Sequence, residues 1–155
     1  MRRIAIAALQ YKNIAISIVL GALFVYAGAL KIRTPLVLAD TMAAFGILPV
    51  ALIIPFALAL SPFEIIAGLL LLVGWHRRVG ALALLIAVAL YTTAIGSALA
   101  RGIVIDCGCF GGGGPATRGQ MWLDLGRDLT ILLAASAVYV WSMPSSTAVP
   151  PETRS

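Results

Sequence analysis

Four long apolar runs leave this chain little choice of environment. They lie near Asn13–Ile32, Val50–Trp75, Val79–Ala100 and Met121–Met143. Each is long enough to cross ~30 Å of hydrocarbon as a helix. Of the 155 residues, 61% are hydrophobic and only 11% are charged. A soluble domain of this size has too little interior to hide that much apolar surface. In lipid, backbone polar groups must be satisfied within the chain, so such runs become helices. The expectation is an all-α integral membrane protein, a four-transmembrane-helix bundle. It forms one domain over residues 1–143, with an outer loop at 101–120. The polar, proline-containing stretch 144–155 reads as a disordered cytoplasmic tail.

The formal net charge is +5, but the basic residues sit at segment ends. They read as topology signals and headgroup contacts, not as a nucleic-acid surface. No basic stripe interleaved with aromatics is present, so no nucleic-acid partner is expected. With the N-terminus in the cytoplasm, Arg2, Arg3, Lys12, Arg77, Arg78 and Arg154 fall inside, and Lys31, Arg33, Arg101, Arg118 and Arg127 outside. The bias is small; the N-terminal cluster and the short Arg77-Arg78 loop carry most of its weight. Tyr11, Trp75 and Trp141 at inner ends and Trp122 at an outer end agree with it as interfacial anchors. The chain is thus read as a multi-pass protein of the cytoplasmic (inner) membrane. Arg2 and Arg3 followed by Ala27-Gly28-Ala29 resemble a signal peptide. However, Lys12 interrupts the early apolar run, and the segment after it can span, so it is read as a membrane helix.

The connections differ in character. Arg33–Pro49 contains Leu36, Leu38, Met42, Phe45 and Leu48 among small and polar residues, and predicts a short amphipathic helix on the outer surface. Pro55 and Pro62 predict a bend in the second span. Arg101–Gln120 holds both cysteines, and Gly111–Gly114 predicts a mobile loop there.

Those cysteines, Cys107 and Cys109, are separated by one glycine in Asp106-Cys107-Gly108-Cys109-Phe110-Gly111. A disulfide needs Cα atoms about 4.4–6.8 Å apart. Residues i and i+2 reach that only if the backbone turns, which Gly108 permits. So small a ring would be strained and easily reduced, and would constrain little chain. These properties suit a transferring disulfide better than a structural one. Two alternatives stand beside the redox couple: a pair of soft-metal ligands, and no special chemistry. Zinc asks for about four ligands. The single histidine, His76, falls on the opposite side of the membrane, where it reads as a headgroup-level residue. No metal is therefore assigned, although two thiolates alone can hold Cu(I).

Glu64 lies eleven residues before Trp75 in an apolar span. A carboxylate at that depth must face the bundle interior, and either stay protonated or find a partner. Its readings are a proton carrier or a neutral group that ties helices together. Lys31 is a candidate partner, with snorkelling to the headgroups as the alternative. Glu64→Leu is expected to fold as well as the native chain or better. Near the start of the fourth span, Asp124, Arg127 and Asp128 cluster. Arg127 is a candidate to favour the thiolate of a nearby cysteine, or else an ordinary interfacial ion pair. The candidate catalytic residues are Cys107, Cys109, Glu64 and Arg127.

These residues carry a resemblance. The chain resembles the DoxX-related membrane proteins, and most of all their MauE branch, the methylamine-utilisation membrane proteins. The matching residues are Gly21, Phe24, Ala27-Gly28, Lys31 and Pro35 around the first span, and Pro62, Glu64 and Gly68 in the second. Asp106-Cys107-Gly108-Cys109-Phe110-Gly111 and, in the last span, Arg127-Asp128 complete the set. The resemblance covers about residues 14–140. It implies a four-helix bundle linked to thiol redox chemistry outside the cytoplasmic membrane, serving maturation of a disulfide-rich periplasmic dehydrogenase subunit. It also implies a thioredoxin-like periplasmic partner and a client protein. The residues themselves favour thiol–disulfide exchange at the outer face, with electrons passing to or from a second thiol protein or a membrane quinone. A soft-metal or small-molecule carrier with Glu64 in its pathway, and a non-enzymatic assembly factor, are the other classes.

Overall fold

The apolar runs fold as helices, and their ends are set by local chemistry. The computed structural model describes residues 2–108 and 116–142. It shows α1 (Arg2–Arg33), α2 (Pro35–Phe45), α3 (Val50–Val73), α4 (Arg77–Ala100) and α5 (Arg118–Trp141), with no strand among the described residues. Tyr11–Arg33, Val50–Val73 and Arg77–Ala100 are long and apolar enough to cross a membrane. The chain is an all-α membrane protein. Of the four expected crossings, α5 is the one that does not meet that description on its own. It has 24 residues, as α3 and α4 do, but Arg118, Asp124, Arg127 and Asp128 occupy its first three turns. Its apolar remainder still packs into the bundle, with Ile131, Ala135 and Val138 against Leu84 and Val88 of α4 and Leu20 and Phe24 of α1.

Several boundaries differ from those expected. Helix α1 extends back to Arg2, well beyond Asn13. Helix α3 ends at Val73 because Gly74 takes a left-handed φ of 77° and caps it. Helix α5 starts three residues before Met121. There Thr117 and Gln120 form a capping box, each side chain satisfying the other's backbone N–H. Helix α3 runs without a break through Pro55 and Pro62. Met143 and the expected tail lie outside the described residues, as do Cys109 and Gly111–Gly114.

Helices α1 and α3 touch through small residues. A Cβ built on Gly21 would sit 2.7 Å from the Gly68 carbonyl oxygen, and one on Gly68 would sit 2.7 Å from the Gly21 oxygen. Such close backbone approach is how helices associate when lipid offers no hydrophobic drive between them. Outward, α3 presents Leu52, Ile54, Leu58, Ile66 and Leu69, all exposed. An apolar outer face of this kind suits hydrocarbon rather than water.

The predicted helix of the first connection exists and is amphipathic, with Leu36 and Asp40 exposed and its other face turned onto the bundle. Leu38, Ala39, Thr41 and Phe45 of α2 are buried. Leu38 and Ala39 pack on Ile53 and Ala57 of α3. Phe45 joins Ile95, Leu99, Cys107 and Met121. Arg101 Nη2 donates to the Phe45 carbonyl at 2.5 Å, tying α2 to the end of α4. Helix α2 is thereby a wall of the bundle at the end that carries Cys107. The α3–α4 hairpin, with Trp75 and His76, forms the opposite end.

Candidate functional site

Two charged clusters meet at the cysteine end of the bundle. The first is dry. Lys31 Nζ lies 2.7 Å from both Oε1 and Oε2 of Glu64, and the two side chains are 1% and 0% exposed. Lys31 therefore does not snorkel. Lys31 Nζ also donates to the Tyr91 hydroxyl at 2.9 Å, and that hydroxyl donates to Glu64 Oε1 in a short hydrogen bond. The ammonium sits 4.7 Å from the Tyr91 ring centroid. One residue each from α1, α3 and α4 thus closes a hydrogen-bonded triangle. Burying such charges is costly, and the cost is offset only when both partners are held and bonded, as they are here. The expectation that Glu64→Leu would fold well is corrected by this geometry, because it would strand the Lys31 ammonium in the core.

The second cluster surrounds Cys107. Arg127 Nη1 lies 3.0 Å from Asp124 Oδ1, and Nη2 lies 3.1 Å from Asp128 Oδ1. The same Nη2 donates to Cys107 Sγ at 3.6 Å. A guanidinium in that position supports negative charge on sulfur, the form in which a thiol attacks a disulfide. Cys107 is buried, packed with Phe45, Ile95 and Met121. The sulfur is held there by the chain on both sides. Ile105 N–H points at Met121 Sδ at 3.4 Å. Gly108 N–H donates to Asp106 Oδ1 at 3.1 Å, with a Gly108 φ of 62°. That φ favours glycine; the turn expected between the cysteines reaches Cys109, outside the described residues. The Gly108 Cα packs toward Thr41 of α2, so that a Cβ would lie 3.3 Å from Thr41 Cγ2.

Asp128 links the clusters. It is 3% exposed, and its Oδ2 has no hydrogen-bond partner among the described residues. A cavity of about 20 Å³ lies between it and Lys31, Glu64 and Tyr91. That is room for a single water, which needs roughly 10–15 Å³. A second cavity, of about 180 Å³, lies between α2, α3 and α4, with Cys107 and Tyr91 in its wall.

Of the residues singled out from sequence, Cys107 and Arg127 come together, and Glu64 pairs with Lys31 in the adjoining cluster. Cys109 lies outside the described residues. His76 sits in the α3–α4 hairpin with its ring 5.2 Å from that of Trp75. Tyr91 was missed. Its signal was a polar step, Tyr91-Thr92-Thr93, in the middle of an apolar span. Thr92 and Thr93 bond their own helix, to Val88 O at 2.8 Å and Ala89 O at 2.7 Å. Only Tyr91 reaches across the bundle, and periodicity alone could not separate it from its neighbours.

An all-α membrane bundle with a cysteine held against an arginine at one end defines the class: a small membrane protein with a candidate thiol site. The family model described as methylamine utilisation protein MauE matches residues 5–142. The chain belongs to that family. Neither the curated proteins nor the solved structures gave a match. The family match names MauE and does not extend to the DoxX-related proteins.

Proposed function

We propose that this methylamine-utilisation membrane protein exchanges disulfides through Cys107 and Cys109 at the outer face of the cytoplasmic membrane. The observation that carries the reading is the Arg127 guanidinium against Cys107 Sγ. In one direction, a partner thiolate attacks the Cys107–Cys109 disulfide and forms a mixed disulfide, with one sulfur of the pair leaving as thiolate. The partner's second thiol then breaks that bond, leaving the partner oxidised and the pair reduced. Gly108, with a φ of 62°, has the backbone freedom that a disulfide between residues i and i+2 requires. The partners of this reading are a thioredoxin-like periplasmic protein and a client whose disulfides mature outside the cytoplasm. The helix α5 serves as the fourth crossing, with its charged first turns at the outer interface.

The test is to incubate the purified protein with a reduced thioredoxin-like protein and read both redox states by alkylation and mass. The reading expects two thiols to appear on this chain for each partner disulfide formed. Unchanged thiol counts on both proteins overturn it. Labelling by a membrane-impermeant thiol reagent on intact cells, after mild reduction, checks the outer placement; labelling only after lysis reverses the orientation.

A further inference from the structure

We propose that the open cleft at the end of the bundle opposite Cys107 is a headgroup site for an anionic phospholipid with a hydroxyl-bearing headgroup, of which phosphatidylglycerol is the simplest. The site stands apart from the disulfide-exchange reading and uses none of its residues.

The cleft holds about 540 Å³, within the ~300–1,000 Å³ usual for ligand sites. Asn13 and Ser17 of α1, His76 and the Arg77 and Arg78 that follow it, and Ser142 after α5 supply its polar wall. No described carboxylate lines it. The ion pairs of the described residues all belong to the two clusters at the other end. Positive charge is thus gathered here without a counter-charge among the described residues.

Both guanidiniums are held by the protein. Arg78 Nη2 donates to the Tyr139 hydroxyl at 3.4 Å, and its guanidinium carbon lies 5.3 Å from that ring's centroid. Arg77 lies against Gly74, so close that a Cβ there would sit 2.8 Å from Nη2. Residues serving only as topology signals need no such packing. Two polar atoms are left in want. Arg77 Nε and Asn13 Oδ1 are shielded from solvent, and neither has a hydrogen-bond partner among the described residues. Each is a cost left standing. The first lacks an acceptor, which a phosphodiester oxygen supplies, and the second a donor, which a headgroup hydroxyl supplies. An ammonium headgroup would also bring a donor, but no described carboxylate in the wall balances its charge. The chemistry therefore selects a phosphodiester that keeps its negative charge and carries a hydroxyl.

The level of the cleft points to lipid rather than to a soluble anion. It lies at the turn between the spans Val50–Val73 and Arg77–Ala100. Exposed Trp141 is in its wall, and exposed Trp75 adjoins His76. Tryptophans at span ends mark the headgroup layer. Exposed Ile14 also lines the cleft, and exposed Ile18 follows one turn along α1. That apolar strip leads from the headgroup position toward hydrocarbon, where acyl chains lie. A basic pocket between membrane helices is a setting in which anionic headgroups bind.

The experiment adds short-chain lipids to the purified full chain in a neutral detergent. Bound lipid is read by native mass spectrometry, with thermal unfolding in parallel. Phosphatidylglycerol should bind and raise the unfolding temperature, and phosphatidylcholine should bind about tenfold more weakly or less. Arg77→Gln combined with Arg78→Gln should weaken phosphatidylglycerol binding by about tenfold or more, since charge-assisted hydrogen bonds are lost. Arg33→Gln combined with Arg118→Gln removes the same charge from exposed positions at the other end and should leave binding unchanged. Phosphatidylmethanol carries the same charge without a hydroxyl. The native chain should prefer phosphatidylglycerol to it, and Asn13→Leu should erase that preference. Equal binding of phosphatidylglycerol and phosphatidylcholine overturns the site. Equal weakening by the two double variants shows diffuse attraction to charge and overturns it too. Inorganic phosphate that displaces the lipid shows a soluble-anion site and overturns the lipid assignment. If the Arg77 and Arg78 double variant does not fold, the native chain's ranking of the three lipids decides alone.

Discussion

The Lys31–Glu64–Tyr91 triangle and the Arg127–Asp124–Asp128 cluster use the same chemistry to different ends. In the first, lysine and glutamate are 1% and 0% exposed and every charge faces its counter-charge. In the second, Arg127 is 32% and Asp124 24% exposed, and the guanidinium divides its donors between two carboxylates and a sulfur. A buried, saturated pair has no donor to spare and fixes three helices. The partly exposed Arg127–Asp124 pair interacts more weakly and can shift when a substrate arrives, although Asp128 on the other side of the guanidinium is buried. The difference teaches that position, rather than residue type, separates the anchor from the reactive group.

The comparison breaks most visibly if the triangle is cut. Lys31→Met or Glu64→Leu should each lower stability by about 3–5 kcal/mol, since either leaves a buried charge unpaired. The double variant should recover most of that loss, because no charge remains. Thermal unfolding in detergent checks this, and single variants as stable as the native chain would deny the triangle its structural role. Glu64→Gln is the milder probe. Its amide can still accept from Lys31 and Tyr91, so the fold should survive while activity falls.

Cutting the second cluster should cost the fold less. Arg127→Gln should lower stability by less than the triangle variants do, by about 1–3 kcal/mol, since it takes the counter-charge from Asp128, whose side chain is 4% exposed, while the amide can still donate to it. It should slow alkylation of Cys107 by about tenfold, because less of the sulfur is thiolate. An unchanged alkylation rate would return Arg127 to the role of a helix anchor. The smallest effect should come from Thr117→Ala, which removes half of the capping box that starts α5. The loss should be about 1 kcal/mol, with faster hydrogen exchange confined to the first turn of that helix.

Much of this arrangement was legible in the sequence. Apolar length placed the spans, and the depth of Glu64 demanded a partner, which Lys31 at the end of α1 supplies. The tight α1–α3 contact explains why glycines stand at 21 and 68. What was hidden depended on packing between distant segments. Nothing in Arg33–Pro49 shows that α2 folds inward onto Ile53 and Ala57, because an amphipathic helix looks the same on lipid or on a neighbour. Tyr91 is a common interfacial residue, and only the crossing of α1, α3 and α4 turns it toward Glu64. That Asp128 Oδ2 has no hydrogen-bond partner among the described residues was equally unreadable, since Arg127 beside it in sequence promised a complete pair.

The central claim is that Cys107 and Cys109 form a working dithiol couple, and single-cysteine variants test it most directly. With Cys109→Ser expressed in cells, Cys107 should attack a partner disulfide, and the resulting mixed disulfide has no internal thiol to resolve it. Partner adducts should accumulate, vanish on reduction, and be absent from the double cysteine variant, whose folding should be nearly unchanged. A Cys109→Ser chain that is fully active and traps no partner would contradict the account.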